Sequence, residues 1–175
     1  MLNIKEKKVI KILKAGGVGV LPTDTLYGLV GSANSKEAVD RIYKIKKRDK
    51  KKKLIILISA MAEIEKFDIK INKKQFEILN KIWPGKVSVI INNLAFRIPA
   101  NKKLIEILKK TGPLVAPSAN PEGLKPAENI KQVKGYFKDA VDFYFSGGIL
   151  KSEPSTLIKI EKNGEIIILR GKIKK

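Results

Sequence analysis

Helix-like and strand-like segments alternate along almost the whole chain, with only short breaks between them. In the first kind, apolar residues recur three or four positions apart; in the second, they form short continuous runs. These patterns are typical of helices and of buried strands. We predict helices at 3–15, 35–48, 72–82, 101–110 and 130–137, and strands at 18–21, 54–58, 87–91, 95–98, 114–115, 142–145, 155–160 and 165–169. The alternation predicts one α/β domain with a mixed sheet, spanning residues 1–175.

Three predicted helix starts carry favourable capping residues. Asn3 and Glu6, and again Asn72 and Gln75, stand three residues apart as in a capping box, and Ser35 is a favoured N-cap. Because a cap accepts hydrogen bonds from N–H groups that the first turn leaves unpaired, these residues support the predicted helix starts.

The chain contains no histidine and no cysteine. It therefore cannot form disulfides, bind metals through thiolate or imidazole, or use a cysteine nucleophile or a serine–histidine pair. Its 37 basic and 17 acidic residues give a formal net charge of +20, and 33 of the basic residues are lysine. Such a charge raises the affinity for nucleic acids through counterion release, so a nucleic-acid-binding role remains an alternative.

No apolar run approaches the roughly 20 residues that a membrane-spanning helix needs. The longest aliphatic run covers only residues 54–58. The first residues mix charges into their apolar pattern and lack the core of a signal peptide. We therefore expect a soluble, cytoplasmic protein with no membrane partner.

Polar residues gather in four breaks, where α/β folds commonly place ligands. The breaks are 21–28, 46–48, 116–120 and a fourth formed by 147–148, 154–156 and 169–171. Hydroxyls of the first could hold a small polar substrate, and cations of the second could clamp a phosphate. Ser118 and Asn120 in the third could ligate phosphate oxygens or a magnesium ion. Each break also has a structural alternative in loop capping, helix-dipole compensation or turn formation.

Two common ligand-binding features are not expected. Trp83-Pro84-Gly85 predicts a helix stop with a buried indole rather than a stacking platform, since aromatic residues are only 6% of the chain. A Gly-x-x-x-x-Gly-Lys-Ser/Thr motif does not occur, so a P-loop is not predicted.

Taken in order, six short motifs resemble those of the Sua5/YciO/YrdC family. They are Pro-Thr-Asp-Thr-Leu-Tyr-Gly-Leu at 22–29, Lys-Lys-Arg at 46–48, Trp-Pro-Gly-Lys-Val-Ser at 83–88, Ser-Ala-Asn at 118–120, Pro-Ser-Thr at 154–156 and Leu-Arg-Gly at 169–171. The resemblance covers about residues 16–171. It implies an open, twisted mixed sheet with helices packed on it and a concave basic face.

The resemblance also implies an activity. It is that of an L-threonylcarbamoyladenylate synthase, a nucleotidyltransferase that makes threonylcarbamoyl-AMP and pyrophosphate from L-threonine, bicarbonate and ATP. The product serves the N6-threonylcarbamoylation of adenosine 37 in tRNA, so a downstream tRNA threonylcarbamoyl transferase machinery is the implied partner. Mg²⁺ is expected to enter with ATP, and no protein metal ligand is assigned. This chemistry needs positioning and charge stabilisation, for which the absent cysteine and histidine are not required.

The family pattern implies roles for individual residues. Catalysis is assigned to Lys46 and Arg48. The implied ATP-binding residues are Lys46, Arg48, Lys52, Ser88, Ser118, Asn120 and Arg170, and the implied threonine-binding residues are Thr25, Tyr27, Asn92, Ala116 and Ser155. Successive helical residues are about 100° apart, so three consecutive side chains of a helix cannot point at one ligand. Because the chain can unwind at the helix end, we expect Lys46 and Arg48 to converge on the triphosphate while Lys47 faces solvent.

The chain departs from the family pattern beside Arg48. Asp49 stands where the family usually has proline, and lysines at 52 and 53 replace the usual residues of the loop that follows. Asp49 either pairs with Arg48, which would weaken phosphate binding, or faces solvent.

A hypothesis from a different class is a non-catalytic protein of the same fold, whose basic face docks tRNA or double-stranded RNA. Thr25 and Ser155 favour the enzyme, because an RNA-binding surface has no need of a small-molecule pocket. If the charge mostly reflects a lysine-rich composition, RNA binding will be weak, indifferent to sequence and lost with salt.

Overall fold

The computed structural model describes residues 2–172, which form nine strands, five α-helices and two 3₁₀ helices. The α-helices are α1 (Ile4–Lys14), α2 (Lys36–Lys46), α3 (Lys73–Ile82), α4 (Lys102–Thr111) and α5 (Ile130–Phe137). The strands are β1 (Gly19–Pro22), β2 (Tyr27–Ser32), β3 (Ile55–Leu57), β4 (Val87–Ile91), β5 (Leu94–Arg97), β6 (Leu114–Val115), β7 (Phe143–Tyr144), β8 (Thr156–Ile160) and β9 (Ile166–Arg170). The 3₁₀ helices are Met61–Phe67 and Lys138–Ala140. None of these described helices is long and apolar enough to cross a membrane.

The strands form one sheet in the order β7-β1-β2-β6-β3-β5-β4-β8-β9. Three neighbouring pairs, β1/β7, β3/β5 and β4/β8, are parallel, and the other neighbouring pairs are antiparallel. The predicted α/β domain with a mixed open sheet is confirmed. Because strand order departs from chain order, loops that are distant in sequence meet at the same part of the sheet.

Helices cover the two faces of the sheet unequally. α2, α3 and α5 pack into the larger apolar core, and α1 and α4 pack into a smaller one on the β1, β2, β3 and β6 part of the sheet. Successive strand residues point to opposite faces. Ile56 and Phe96 therefore enter the larger core, whereas Ile55 and Ala95 point the other way. That second face stays partly open beside α1 and α4.

The helix ends follow the predicted chemistry. Asn3, Ser35 and Asn72 each accept a hydrogen bond from the backbone N–H three residues on, and the two predicted capping boxes are complete, which confirms all three caps. α3 stops at Trp83, whose buried indole N–H donates to the Val87 carbonyl over 2.7 Å. The predicted helix stop with a buried indole is therefore also confirmed.

Three elements were not predicted from the sequence. β2 occupies the end of the expected polar break, one 3₁₀ helix fills the interval between β3 and α3, and a second one follows α5. β2 contains two glycines and a serine, which seldom favour a strand on their own. It is fixed by antiparallel pairing with β1 on one side and β6 on the other. The first polar break consequently shrinks to residues 23–26.

Candidate functional site

A cavity of about 360 Å³ opens on the sheet face that α1 and α4 leave uncovered. Its floor comes from strand residues that point away from the larger core, namely Ile55, Ile90, Ala95 and Leu157. Its walls come from segments 23–28, 48–54, 116–118 and 154–155. The four predicted breaks therefore converge, and the volume is that of a small-molecule site.

The cavity is strongly basic. Its described lining holds five cationic side chains and no aspartate or glutamate; the cations are Arg48, Lys52, Lys53, Arg97 and Arg170. Burial lowers the pKa of Arg97, and burial together with the charge of Arg48 lowers the pKa of Arg170. Cations gathered in a partly desolvated space attract an anionic ligand. The concave basic face implied by the family resemblance is present.

Hydroxyls and a guanidinium meet at the 23–26 loop. The Thr23 hydroxyl oxygen lies 3.0 Å from that of Thr25 and accepts hydrogen bonds from the Thr25 and Leu26 backbone, which fixes a tight turn. Arg97, the last residue of β5, donates from Nη1 to the Thr25 hydroxyl over 3.2 Å. Its Nη2 lies 3.2 Å from Asp24 Oδ1, and its Nε has no partner. The buried guanidinium is thus anchored while some of its donors stay unused.

A second cluster joins β4, β8 and β9. The Ser88 and Ser155 hydroxyls share a hydrogen bond of 2.8 Å, and Arg170 donates from Nη2 to the Ser155 carbonyl over 2.9 Å. Ser155 and Arg170 line the cavity, whereas Ser88 is fully buried behind them. Ser88 therefore orients the Ser155 hydroxyl rather than facing a ligand.

The backbone of 117–119 follows β2 closely. Leu29 donates to the Pro117 carbonyl over 2.8 Å, and Ala119 donates to the Tyr27 carbonyl over 2.7 Å. Between them, Gly28 pairs with Ser118 and leaves little room, because a Cβ on Gly28 would lie 3.3 Å from the Thr23 methyl group. This close approach explains why glycine suits the position.

Lys46 holds the same segment from behind. Its side chain is buried, and its Nζ donates to the carbonyls of Ser118 and Asn120. Burial, with repulsion from Arg48 adding to it, lowers the pKa of Lys46 to about 8. The expected convergence of Lys46 and Arg48 on one ligand is not what the structure shows, because carbonyl oxygens of a distant loop bind the Lys46 ammonium.

Arg48 lines the cavity. Lys47 has a left-handed backbone conformation and is exposed to solvent, as predicted from the sequence. Arg48 donates from Nε to the Lys52 carbonyl over 3.1 Å. Asp49 accepts a hydrogen bond from the Lys51 backbone over 2.8 Å and makes no ion pair with Arg48 within the described residues. Asp49 therefore does not neutralise the arginine.

Tyr27 fixes the loop at 147–148. Its hydroxyl donates to the Gly148 carbonyl over 2.7 Å and accepts from the Gly147 N–H over 2.9 Å. A Cβ on Gly147 would lie 2.5 Å from Pro22, so the loop needs glycine to pack there. Tyr27 is among the cavity-lining residues, but its side chain packs in the larger core and both hydrogen-bonding roles of its hydroxyl are taken.

Most of the predicted site residues come together. Those lining the cavity are Thr25, Tyr27, Arg48, Lys52, Ala116, Ser118, Ser155 and Arg170. Those lying behind its wall are Lys46, Ser88 and Asn120. Asn120 donates to the Leu124 carbonyl, and its own side-chain oxygen is buried without a partner.

Asn92 lies apart from the other predicted site residues. Asn92 and Asn93 form the turn between β4 and β5, with φ values of 46° and 67°, a region that asparagine tolerates better than most residues. Asn92 is exposed there and does not line the cavity. The structure gives it the role of a turn residue and not the expected place beside threonine.

Sequence reasoning missed Arg97 and its partner Asp24. Arg97 is one of only four arginines, against 33 lysines, and lies in a predicted strand, so the scarcity of arginine was a signal that could have singled it out. Asp24 stood inside a recognised motif, but without the fold nothing placed it against a residue 73 positions away.

Comparisons with known proteins agree with this geometry. The Sua5/YciO/YrdC family model, described as "Telomere recombination", matches residues 11–171. A curated relative, the threonylcarbamoyl-AMP synthase of Hahella chejuensis, is 27% identical over 176 residues, which cover 92% of this chain and 96% of the relative. Because the family model spans nearly the whole sequence, the chain belongs to the Sua5/YciO/YrdC family.

Solved structures show the same fold. Escherichia coli YciO superposes with a TM-score of 0.87 at 20% identity, covering 98% of this chain and 90% of that one. Pyrococcus abyssi Sua5, solved in complex with L-threonine, superposes with a TM-score of 0.85 at 24% identity over 95% of this chain. The match spans 53% of the P. abyssi chain, so this chain covers about half of that protein's length.

Proposed function

We propose that the protein is an L-threonylcarbamoyladenylate synthase, which converts L-threonine, bicarbonate and ATP into threonylcarbamoyl-AMP, pyrophosphate and water. The observation that carries this proposal is one cavity with two chemically different clusters, the hydroxyl and guanidinium group around Thr25 and Arg97 and the cations Arg48, Lys52 and Arg170. The family membership and the curated relatives named threonylcarbamoyl-AMP synthase support it.

The first cluster suits an amino acid. A free amino acid brings a carboxylate, which an arginine with unused donors binds well. Arg97 has such donors beside the Thr25 hydroxyl, and the floor residues Ala95 and Ile90 offer apolar surface for a side-chain methyl group. We assign the carboxylate of L-threonine to Arg97 and its side chain to the region of Thr25.

The second cluster suits a polyphosphate. Arg48, Lys52 and Arg170 present positive charge without a carboxylate among the described lining residues. In the proposed reaction, the threonine amine attacks the bicarbonate carbon and water leaves. The carbamate oxygen then attacks the α-phosphorus, and pyrophosphate departs with increased negative charge, which these cations stabilise. Each bond is formed between substrates, so the protein needs no nucleophile.

Lys46 acts on this reaction through the backbone. By binding the carbonyls of Ser118 and Asn120, it turns that segment so that Ser118 lines the cavity. Arg48 is assigned a catalytic role through direct contact with the triphosphate, and this role stays a prediction. The role of Lys46 becomes that of a positioning residue.

Magnesium is proposed to arrive with ATP. The described lining offers hydroxyl oxygens and cations but no carboxylate, a donor set that fits an ion already held by phosphate oxygens rather than by the protein. When bound, the ion would neutralise phosphate charge, and the Ser118 hydroxyl, which lines the cavity, is a candidate ligand. The product is proposed to pass to a tRNA threonylcarbamoyl transferase machinery.

Pyrophosphate release tests the proposal. Purified protein with magnesium, ATP, L-threonine and fresh bicarbonate should release pyrophosphate, and omission of any one substrate should abolish the release. A folded protein that releases none above background would remove the enzyme hypothesis.

RNA binding tests the alternative. The excess of lysine over arginine predicts RNA affinity that is weak and falls steeply with salt. Tight, salt-resistant binding to one tRNA, together with no pyrophosphate release, would favour the non-catalytic RNA-binding protein.

A further inference from the structure

Two loops meet at the mouth of the cavity, and Glu122 connects them. One loop, residues 47–53, follows α2, and the other, residues 116–124, carries the Ser-Ala-Asn motif. The Glu122 backbone N–H donates to the Lys46 carbonyl over 2.8 Å. Its carboxylate accepts from the Asp49 N–H over 3.2 Å and from the Lys52 ammonium over 2.5 Å. Glu122 thus contacts Lys46 at the end of α2 and both Asp49 and Lys52 in the 47–53 loop.

The 47–53 loop needs such a contact because of its charge. Six of its seven residues are basic, and like charges so close together repel one another. It is also the loop that brings Arg48, Lys52 and Lys53 to the cavity. Other attachments exist, from Tyr43 to the Lys52 carbonyl and from Lys50 to Asp40, but these lie on the α2 side. Among the described residues, Glu122 supplies the carboxylate on the cavity side.

Asp49, at which the chain departs from the family pattern, affects both the order of the loop and its contact with Glu122. Proline, the usual residue there, restricts the loop through its fixed φ but has no N–H to donate. Asp49 lacks that restriction and has an N–H, which Glu122 accepts. The same substitution therefore removes one way of ordering the loop and provides the donor for another.

We propose that Glu122 is a positioning residue that orders the 47–53 loop and so sets the affinity of the cavity for the phosphate groups of its ligand. The proposal rests on the proposed function for the identity of that ligand, and the ordering of the loop itself does not depend on it. Within residues 2–172, the Glu122 carboxylate forms an ion pair with no cavity-lining residue other than Lys52, so its removal should affect phosphate binding and leave threonine binding largely alone.

The decisive variants are Glu122→Ala, Glu122→Gln and Asp49→Pro, with Glu161→Ala as the matched control. Glu161 is a glutamate paired with a lysine, Lys159, at the far end of β8, so its removal changes net charge equally without touching the loop. Glu122→Gln keeps an acceptor for the Asp49 N–H but loses the ion pair. Asp49→Pro restores the family residue.

The first readout is hydrogen exchange of the ligand-free protein. In Glu122→Ala, amides of 47–53 should exchange several-fold faster, while Glu161→Ala should match the unmodified chain. The second readout is calorimetric titration with inorganic pyrophosphate. Its dissociation constant should rise roughly three- to tenfold in Glu122→Ala and less in Glu122→Gln, the scale of an exposed ion pair plus one hydrogen bond. In the Asp49→Pro background, Glu122→Ala should have a smaller effect.

Activity supplies the third readout. The KM for ATP should rise in Glu122→Ala while the KM for threonine stays within twofold. Unchanged exchange in 47–53, tighter pyrophosphate binding, or an equal effect from Glu161→Ala would each overturn the positioning role. If neither the unmodified chain nor any variant turns over substrate, the proposed function fails. Hydrogen exchange and pyrophosphate titration still decide the role of Glu122 in that case.

Discussion

Asp24 and Arg97 form an ion pair at the base of the cavity, with 3.2 Å between Asp24 Oδ1 and Arg97 Nη2 and both side chains almost fully buried. The other Asp24 oxygen accepts the Ala100 N–H over 3.0 Å, so the carboxylate is fixed from two directions. Arg97 reaches Thr25 with its remaining terminal nitrogen. The pair joins the 23–26 loop to the end of β5 and sets where the guanidinium stands.

Asp24→Asn should destabilise the fold. The amide oxygen can still accept the Ala100 N–H, but Arg97 would be left as a buried charge without its counterion, a loss on the order of 3–5 kcal/mol of unfolding free energy. Urea denaturation measures this change. Asp40→Asn, which removes exposed pairs with Lys36 and Lys50, should change the midpoint far less. Equal effects would mean that burial of the Asp24–Arg97 pair does not contribute to stability.

Arg97→Lys should weaken threonine binding. Lysine keeps the charge but loses the planar fork and its several fixed donors, which corresponds to about 1.5–3 kcal/mol for hydrogen bonds to a charged group. The KM for threonine should therefore rise roughly ten- to hundredfold, while the KM for ATP should change little. Arg41→Lys is the control, since Arg41 pairs with Asp142 outside the cavity. A rise in the KM for ATP alone would contradict the carboxylate assignment.

Arg48→Lys should lower catalytic efficiency roughly ten- to hundredfold, because a point charge replaces a fork on the triphosphate. Lys47→Ala should stay within a few-fold of the unmodified chain, since Lys47 is exposed at the end of α2. Steady-state kinetics with ATP as the varied substrate gives both values. Equal losses in the two variants would mean a diffuse charged surface instead of a specific contact by Arg48.

Lys46 should make stability depend on pH. Its pKa is about 8 in the folded protein and near 10.5 when unfolded, so between these values the unfolded chain binds more protons. The free energy of unfolding should therefore rise with pH across this window, by about 2–3 kcal/mol between pH 8 and 10. Well below pH 8 the contribution is flat, because Lys46 is charged in both states.

Lys46→Met isolates that contribution. The unmodified chain and the variant should be denatured with urea at several pH values, and the difference between their unfolding free energies should shift in favour of the unmodified chain as pH rises. A difference that stays constant from pH 7 to 10 would show that the Lys46 ammonium is not desolvated in the folded protein.

The sequence predicted local features well because local chemistry determines them. The caps at Asn3, Ser35 and Asn72 depend on residues within a few positions. Asn92, whose role came only from the family resemblance, lies in a turn outside the described cavity lining. The helix ends and most strand positions were predicted on the same local grounds.

Features that depend on distant partners were harder to predict. β2 was missed because its glycines fit a strand only between β1 and β6. Lys46 was assigned to a phosphate because its carbonyl partners lie more than 70 residues further along the chain. Arg97 went unnoticed for the same reason, since Asp24 and Thr25 approach it only after the sheet has formed.

The order of strands in the sheet has a consequence for the protein during synthesis. The cavity takes Thr25 from an early loop, Ser155 from just before β8, and Arg170 from β9, the outermost strand on its side. A ribosome-bound chain that has not yet released β8 and β9 lacks Ser155 and Arg170 and has no partner strand for β4 on its open side. The cavity is therefore complete only once residues 155 and 170 have emerged, and a ligand that binds there cannot stabilise the nascent chain before that point.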